Sequence, residues 1–224
     1  MRRTQLSALA LALVAVSLCG GARASAQTPA PSPAATPAPT AQATPSPAAS
    51  TAAPQTTMPA ANPADVASVE AIVAALYDVI SGPAGKKRDW NRFRSLFAPG
   101  ARMIPTVPRR PPGTAPDAPL TGAEEYVARV LAPEDYVTRS GPYLEEHGFF
   151  ERESARRVEQ FGHIAHVFST YEARHKAEDP APFMRGINSI QLVNDGKRWW
   201  VVSIFWEAES NRLKLPEKYL KSAQ

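Results

Sequence analysis

Residues 185–209 constrain the fold most strongly, because two runs of strand-forming residues flank a turn there, in the sequence RGINSIQLVNDGKRWWVVSIFWEAE. An Asp-Gly pair between apolar runs is a strong signal for a β-hairpin. With Asp195 and Gly196 as the loop, side-chain alternation groups on one face the polar pair Asn188 and Ser203 with the apolar residues Ile190, Val201 and Phe205. The other face is largely apolar as well. We therefore expect helices to cover one side of the hairpin, and a ligand or a second subunit to cover the other.

Residues 1–26 have the pattern of an export signal. Arg2 and Arg3 precede an apolar run that is shorter than the roughly 20 residues needed to cross a bilayer. Ala24-Ser25-Ala26 then forms a cleavage site. The pattern predicts cleavage after Ala26 and a periplasmic or secreted product, with no membrane span after cleavage.

Cys19 gives an alternative at the same end of the chain, namely a lipid anchor. Lipoprotein signals carry a small residue before the modified cysteine, whereas Leu18 precedes Cys19, so cleavage after Ala26 matches better. Cys19 is the single cysteine of the chain. Its loss with the signal leaves no thiol for a disulfide, a nucleophile or a metal site.

The mature chain is nearly neutral, which bears on its partners. Loss of Arg2, Arg3 and Arg23 with the signal leaves 22 basic residues against 21 acidic ones. A basic footprint for nucleic acid is therefore not expected.

Residues 27–62 have no charged side chain and consist mainly of Ala, Pro, Thr, Ser and Gln. Such a segment cannot bury enough apolar surface to offset the entropy of ordering, so a disordered linker is expected. It is either a spacer through the cell envelope or a product of compositional bias. Residues 63–224 then form one domain.

Helix signals come first in that domain. Asn62 and Pro63 start a helix that continues to Ile80 and stops at Gly82, and Asp89 caps a short second helix. A capping box at residues 121–124 predicts a third helix through Leu131.

Strand signals follow the helices. Residues 101–107 suit a first strand, and residues 149–161 and 164–174 suit two long strands joined at Gly162 and His163. With that loop, regular alternation places on one face the residues Arg152, Ser154, Arg156, Val158, Val167, Ser169 and Tyr171. Helices followed by a four-stranded antiparallel meander predict an α+β domain with helices on one face of a curved sheet.

The phrases VEAIVAALYDVISG, DWNRFRSLFAPGAR and GINSIQLVNDGKRWWVVSIFW, taken with this order of elements, resemble the SnoaL-like branch of the nuclear transport factor 2-like (NTF2-like) superfamily. The resemblance covers residues 63–224 and none of the linker. It implies a cone, in which a strongly bent antiparallel sheet wraps on about three N-terminal helices. A pocket opens at the wide end, and dimerisation through the sheet is frequent.

The ketosteroid isomerase branch of that superfamily needs a carboxylate base on the first strand and donors for an enolate oxygen. Residues 101–106 contain no acid, and Asn188 stands where those isomerases carry an acidic donor. An amide can still donate a hydrogen bond to a carbonyl. No catalytic residue is assigned, and isomerase chemistry is disfavoured unless another acid enters the pocket.

Other site signals are weak. His163 and His166 lie an odd number of residues apart on a strand, so they face opposite sides and cannot share a metal ion. No metal site and no cofactor motif is predicted. The charged run from Glu151 to Arg157 suits a solvated edge strand or, alternatively, an anion-binding arginine in the pocket.

The sequence thus predicts a ligand pocket whose apolar walls carry a few polar groups, formed by Asn188, Ser203, Ile190, Val201, Phe205, Tyr171 and Arg156. The expected ligand is small and apolar, with a carbonyl or hydroxyl group. Alternatively, Asn188 and Ser203 bond each other inside the core. An Asn188 side chain directed to the helix-packed side would remove the Asn188–Ser203 pocket.

Three functions are compatible with this pocket. The first is a non-catalytic binding or accessory protein of the envelope, and the second is an isomerase-like or dehydratase-like enzyme that uses a pair such as Tyr171 and Arg156. The third is a homodimeric scaffold with a vestigial pocket. An acid or a tyrosine that converges on Asn188 would favour the enzyme.

Overall fold

A computed structural model describes residues 58–110, 113–114 and 125–221 of the chain. The export signal, most of the linker and the capping box at 121–124 lie outside the described residues. Within them, no helix combines the length and the apolar character needed to cross a bilayer.

The first helix is shorter than the sequence predicts. Asn62 caps a 3-10 turn at Pro63–Asp65, with its side chain accepting from the Ala64 N–H, as expected. The chain then breaks, and α1 begins again at Val69 and runs to Ile80, with Ser68 accepting from the Ala71 N–H over 3.1 Å. A hydroxyl cap at Ser68 satisfies a free helix N–H group, which explains the restart.

Two more helices pack beside α1. α2 spans Trp90–Ser95 behind the expected cap Asp89, and α3 spans Pro133–His147. The prediction of a third helix through Leu131 is wrong, because Tyr126–Ala128 is a short strand and the helix begins only at Pro133. Pro133 suits a first helical position, where the missing N–H costs nothing.

Arg88 links the C-terminal ends of α1 and α3. Its buried guanidinium donates to the carbonyl oxygens of Ile80, Gly82 and Leu144 over 2.9, 2.6 and 2.9 Å. The bonds to Ile80 and Leu144 satisfy carbonyl groups in the last turns of the two helices, which have no partner within the helix. They hold the two helices that carry tyrosines of the site described below.

The sheet has six strands in the order β2-β1-β6-β5-β4-β3. They are β1 Phe97–Pro108, β2 Tyr126–Ala128, β3 Phe150–Phe161, β4 Ile164–Arg174, β5 Met184–Asn194 and β6 Trp199–Ala208. The antiparallel meander of β3 to β6 is confirmed. The sheet as a whole is mixed rather than antiparallel, because β1 pairs parallel to β6.

The chain is therefore an α+β domain in which a curved sheet packs on three helices, as the sequence predicts. Register shifts interrupt β1, β3 and β6. Bulges of this kind bend a strand and increase its twist. α1 packs across the sheet and contacts β3 and β6, so we call the face that it covers the inner face and the opposite one the outer face.

The last hairpin differs from its expected register in two ways. Its loop is longer, from Asp195 to Arg198, because the Asp195 side chain accepts the backbone N–H groups of Lys197 and Arg198, each over 2.9 Å. Asn194 therefore pairs with Trp199. This first change adds Lys197 and Arg198 to the loop, both from the β6 side, and leaves the faces as predicted.

The second change reverses the faces beyond it. Leu192 pairs with Val201 but Gln191 pairs with Ser203, so Val202 is the extra residue of a bulge. Asn188 is consequently opposite Trp206, and the expected pair of Asn188 with Ser203 is wrong.

The outer face is partly covered by the C-terminal segment, residues 209–221. A short 3-10 turn, Glu217–Tyr219, follows Pro216. The Tyr219 carbonyl accepts from the Thr170 hydroxyl over 2.6 Å, and its ring lies 5.0 Å from that of Phe168. Val202 and Phe205 of β6 remain 41% and 44% exposed on that face.

Candidate functional site

Asn188 lies at the centre of the inner face and is 9% exposed. Its amide nitrogen donates to the Tyr77 hydroxyl over 3.1 Å and to Glu151 Oε1 over 3.3 Å. Tyr77 belongs to α1, so Asn188 points to the helix-packed side. An acid and a tyrosine thus converge on this amide.

A second group of polar side chains continues from Tyr77. The Tyr77 hydroxyl lies 2.6 Å from Ser169 Oγ, which donates to Glu153 Oε1 over 2.5 Å. Arg156 Nε donates to Glu153 Oε2 over 2.6 Å. Tyr77 and Ser169 are buried, and buried polar groups of this kind are stable only when they are paired.

A bulge in β3 brings the two acids inside. Arg156 pairs with Ser169 and Val158 with Val167, as the sequence predicts, but Glu153 pairs with Tyr171 and Ala155 with Thr170. Ser154 is thus an extra residue. The side chains of the β3 residues that precede it lie on the face opposite to the predicted one. Glu151 and Glu153 turn inward where regular alternation placed Arg152 and Ser154.

Glu151 has an unusual environment for a carboxyl group. The residue as a whole is half-buried, yet protein atoms surround its carboxyl group, and no cationic group of the described residues pairs with it. Burial raises the pKa of Glu151 to about 7, while the hydrogen bond from Asn188 acts in the opposite direction. The carboxyl is therefore poised to take up or release a proton near neutral pH.

Two further tyrosines face this carboxyl. Tyr136 comes from α3, with its ring stacked 5.7 Å from that of Phe93, and Tyr171 is 2% exposed on β4. Burial raises the pKa of both hydroxyls, and the charge of Glu151 raises it further. Neither hydroxyl makes a hydrogen bond within the described part of the chain, so both can donate to a bound molecule.

Gly186 makes room for Tyr171. A Cβ atom at Gly186 would lie 2.5 Å from the Tyr171 hydroxyl and 2.3 Å from the Glu207 carbonyl oxygen. The strand therefore needs glycine at this position for the ring to cross over it.

The structure divides the residues that the sequence grouped as a pocket. Asn188, Ile190, Val201, Tyr171 and Arg156 lie on the inner face. Ser203 and Phe205 lie on the outer face, because the bulge at Val202 turns them away. The Asn188–Ser203 pocket is therefore wrong, and whether the inner five bind a ligand stays a prediction.

Sequence reasoning missed the site residues Tyr77, Tyr136, Ser169, Glu151 and Glu153. Two of its signals were useful: strand alternation grouped Ser169 with Arg156 and Tyr171 on one face, and the charged run in β3 suggested an arginine in the pocket. Arg156 does face inward, but it is paired with Glu153, with the second contact made by its Nη2 atom.

Ser203 and Phe205 line a shallow hollow on the outer face together with Ile104 and Gln191. A second outer groove of about 240 Å³ runs between β5, β6 and the C-terminal segment, and its walls include Phe168, Ile187 and Leu215. No cluster of three or more potential metal-ligating side chains occurs among residues 58–110, 113–114 and 125–221.

The inner cluster combines one carboxyl group with a raised pKa and two phenols that have free donors. Aromatic groups including Trp206, whose ring lies 6.5 Å from that of Tyr136, border it. Chemically, such a set can remove a proton from carbon while donors hold the neighbouring oxygen.

Comparison with known proteins gives similarity in structure only. No family model and no curated protein matches the chain. An NTF-2 like protein of unknown function from Silicibacter pomeroyi DSS-3 is similar at 15% identity and a TM-score of 0.41, over 64% of this chain and 94% of that one.

Two further solved structures resemble the chain. A protein of unknown function with a cystatin-like fold from Nostoc punctiforme PCC 73102 shares 13% identity at a TM-score of 0.43, over 64% of this chain and 90% of that one. An NTF2-like protein of unknown function from Shewanella baltica OS155 also shares 13% identity, at a TM-score of 0.35, over 64% of this chain and 98% of that one.

Proposed function

We propose that the domain is a small-molecule enzyme that moves a proton at a carbon atom next to a carbonyl group, with Glu151 as the base. One observation carries the proposal: the Glu151 carboxyl lies in the interior without a cationic partner, facing two tyrosine hydroxyls that have no partner within the described residues. In this proposal, Glu151 of β3 supplies the carboxylate base that residues 101–106 of the first strand lack.

The proposed reaction balances as a proton transfer. Glu151 removes a proton from the carbon, the electron pair of the C–H bond forms a C=C bond, and the carbonyl oxygen becomes an enolate. Tyr136 and Tyr171 donate hydrogen bonds to that oxygen. Return of the proton to the same carbon gives exchange, and return to another carbon gives isomerisation. Dehydration follows when the enolate re-forms its carbonyl, the bond between the β-carbon and its hydroxyl oxygen breaks, and the proton held by Glu151 joins that hydroxyl group to leave as water.

The environment of Glu151 supports this role in two ways. A base works best when its pKa lies near the operating pH, and burial raises the pKa of Glu151 to about 7. The raised pKa values of Tyr136 and Tyr171 keep both hydroxyls protonated at neutral pH, so that they act as donors.

Hydrogen–deuterium exchange of a simple ketone tests the proposal. Cyclohexanone in D2O is expected to lose its α-hydrogen signals in proton NMR faster with the wild-type protein than with buffer. Glu151→Gln is expected to reduce the protein-dependent rate by about 100-fold or more. Glu159→Gln is the matched control, since Glu159 is an exposed acid on the same strand.

Equal rates for wild type and Glu151→Gln would contradict the role of Glu151. A protein that binds ketones without any exchange would instead indicate the second candidate, a non-catalytic binding protein. The hydroxyls of Tyr136 and Tyr171 suit that candidate as well, because each can donate a hydrogen bond to a carbonyl or hydroxyl group of a bound ligand.

We further propose that the protein acts outside the cytoplasm, as a periplasmic or secreted product. Arg2, Arg3 and the Ala24-Ser25-Ala26 site support export and cleavage. Intact-mass measurement is expected to find a chain that begins at Gln27. A chain that begins at Cys19 and carries acyl mass would indicate lipid anchoring instead.

A further inference from the structure

The inner face holds a continuous hydrogen-bond chain that ends on Glu151. Its members, in order, are Arg156, Glu153, Ser169, Tyr77, Asn188 and Glu151. Each link between consecutive members is 3.3 Å or shorter. Three elements contribute to it besides β3, namely α1, β4 and β5.

The direction of every link follows from the chemistry of its ends. The Glu153 carboxylate, which is paired with a guanidinium, can only accept hydrogen bonds. The single hydroxyl proton of Ser169 is therefore donated to Glu153. The Ser169 oxygen must then accept from Tyr77. Because the Tyr77 hydroxyl donates its proton to Ser169, its oxygen accepts from Asn188. The Asn188 NH2 group therefore faces both Tyr77 and Glu151.

Water cannot readily repair this chain if a member is lost. Ser169 is fully buried at 0% exposure and Tyr77 is at 7%. A buried polar atom without its partner is costly, so the remaining members would have to reorient. The side chain that can reorient most simply is the Asn188 amide, by rotating until its oxygen faces Tyr77.

We propose that Ser169 and Glu153 are positioning residues, which set the direction of the chain and thereby turn the donor side of the Asn188 amide toward Glu151. This proposal rests on the role proposed above for Glu151 as the base. In the reversed chain, the Asn188 oxygen would face the Glu151 carboxyl. The carboxyl could then form a hydrogen bond with that oxygen only when it is protonated.

Other charged and titratable groups around Glu151 also influence its ionisation, and a test must separate their effect from that of the chain direction. Tyr77 faces it from α1, Tyr136 from α3, and Tyr171 from β4. Glu153 and Arg156 lie on its own strand. Loss of the negative charge of Glu153 would by itself favour ionisation of Glu151, and so would the charge left on Arg156.

Two variants separate the direction of the chain from these charges. Ser169→Ala breaks the chain and changes no charge. In Glu153→Gln, the amide oxygen stays with Arg156 and the NH2 group turns to Ser169, so Ser169 donates to Tyr77 and the chain reverses. Charge effects alone predict that the titration midpoint of Glu151 is unchanged in Ser169→Ala and lower in Glu153→Gln.

The experiment is a carbon-13 NMR titration of the full chain labelled at the glutamate carboxyl carbons. The Glu151 signal is identified by its absence in Glu151→Gln. We expect Ser169→Ala and Glu153→Gln to move the Glu151 midpoint upward by about one pH unit, the equivalent of one hydrogen bond to a charged group. Ser169→Thr keeps the hydroxyl and is expected to leave the midpoint in place.

A midpoint that falls or stays fixed in either folded variant overturns the proposal. Near-ultraviolet circular dichroism identifies a variant that does not fold, and the other variant then decides. The titration is independent of ketone exchange. An upward shift without any exchange activity therefore supports the positioning role while it contradicts the proposed reaction.

Discussion

Glu151 and Glu172 occupy opposite faces of the same two strands, and their carboxyl groups behave in opposite ways. Glu151 is on the inner face opposite Ala173, and Glu172 is on the outer face opposite Arg152. Burial raises the pKa of Glu151 to about 7. Burial alone would also raise the pKa of Glu172, but hydrogen bonds from Arg174 and Arg152 outweigh it and lower the pKa.

The difference lies in the partners of each carboxyl rather than in the residue type. Glu172 has two guanidinium groups within 3.2 Å, so its charge is stabilised and held. Glu151 has one amide donor and three tyrosines, which leave its proton exchangeable near neutral pH. Reactive potential on this sheet therefore follows from burial without a counter-ion.

The largest expected effect concerns packing on the two faces of β4. Tyr171→Ala removes a ring that is 2% exposed on the inner face and is expected to cost about 3 to 5 kcal/mol of unfolding free energy. Phe168→Ala removes a half-buried ring from the outer face and is expected to cost about 1 kcal/mol. Urea denaturation measures both, and equal losses would contradict the distinction between the faces.

A smaller effect is expected from the two acids, and its sign depends on pH. The folded pKa of Glu151 lies above its ordinary value of 4.5, so the folded state loses stability as pH rises from 4.5 toward 7. Glu151→Gln avoids this loss, and we expect the variant to be more stable than wild type by about 2 to 3 kcal/mol at pH 8. The gain should vanish below pH 4.5.

Glu172→Gln is the matched control with the opposite sign. The folded pKa of Glu172 is lowered, so its contribution to stability is present above the unfolded pKa and is lost as pH falls. The variant is therefore expected to be less stable than wild type at pH 8. Urea denaturation at pH 4 and pH 8 measures both acids, and a stabilising Glu172→Gln at pH 8 would contradict the comparison.

The smallest effect on the fold is expected at the exposed part of the outer face. We propose that Val202 and Phe205 contribute to a homodimer through the sheet, because both apolar side chains are 41% or more exposed. Phe205→Ser is expected to convert a dimer to a monomer in light scattering, with a change in unfolding free energy within about 0.5 kcal/mol. A wild-type monomer at micromolar concentration would contradict the dimer.

Most of the fold is predictable from local signals. The caps Asn62 and Asp89, the stop at Gly82 and the meander from β3 to β6 follow from short patterns whose physical causes act within a few residues. α3 escaped prediction although Pro133 marks its start, because Gly141 and Pro142 interrupt its helical pattern. A Cβ atom at Gly141 would lie 3.0 Å from the Trp90 ring, so a larger residue would require that ring to shift slightly.

The site was less predictable because its residues depend on two bulges. Alternation counted from the Gly162 turn is correct as far as Ala155 and then fails at Ser154. Alternation counted from the Asp195 turn is correct as far as Val201 and fails at Val202. Neither bulge residue has a local signature such as glycine, and the pairing that selects it involves the whole sheet.

The bulge at Ser154 has a consequence for how such a sheet can evolve. Ser154 is the extra residue, so a chain from which it is deleted would form a regular strand that still directs Glu151 and Glu153 inward. Only the local bend would be lost. Insertions and deletions at Ser154 and Val202 can therefore alter the curvature of the sheet while the inward-facing chemistry is inherited unchanged.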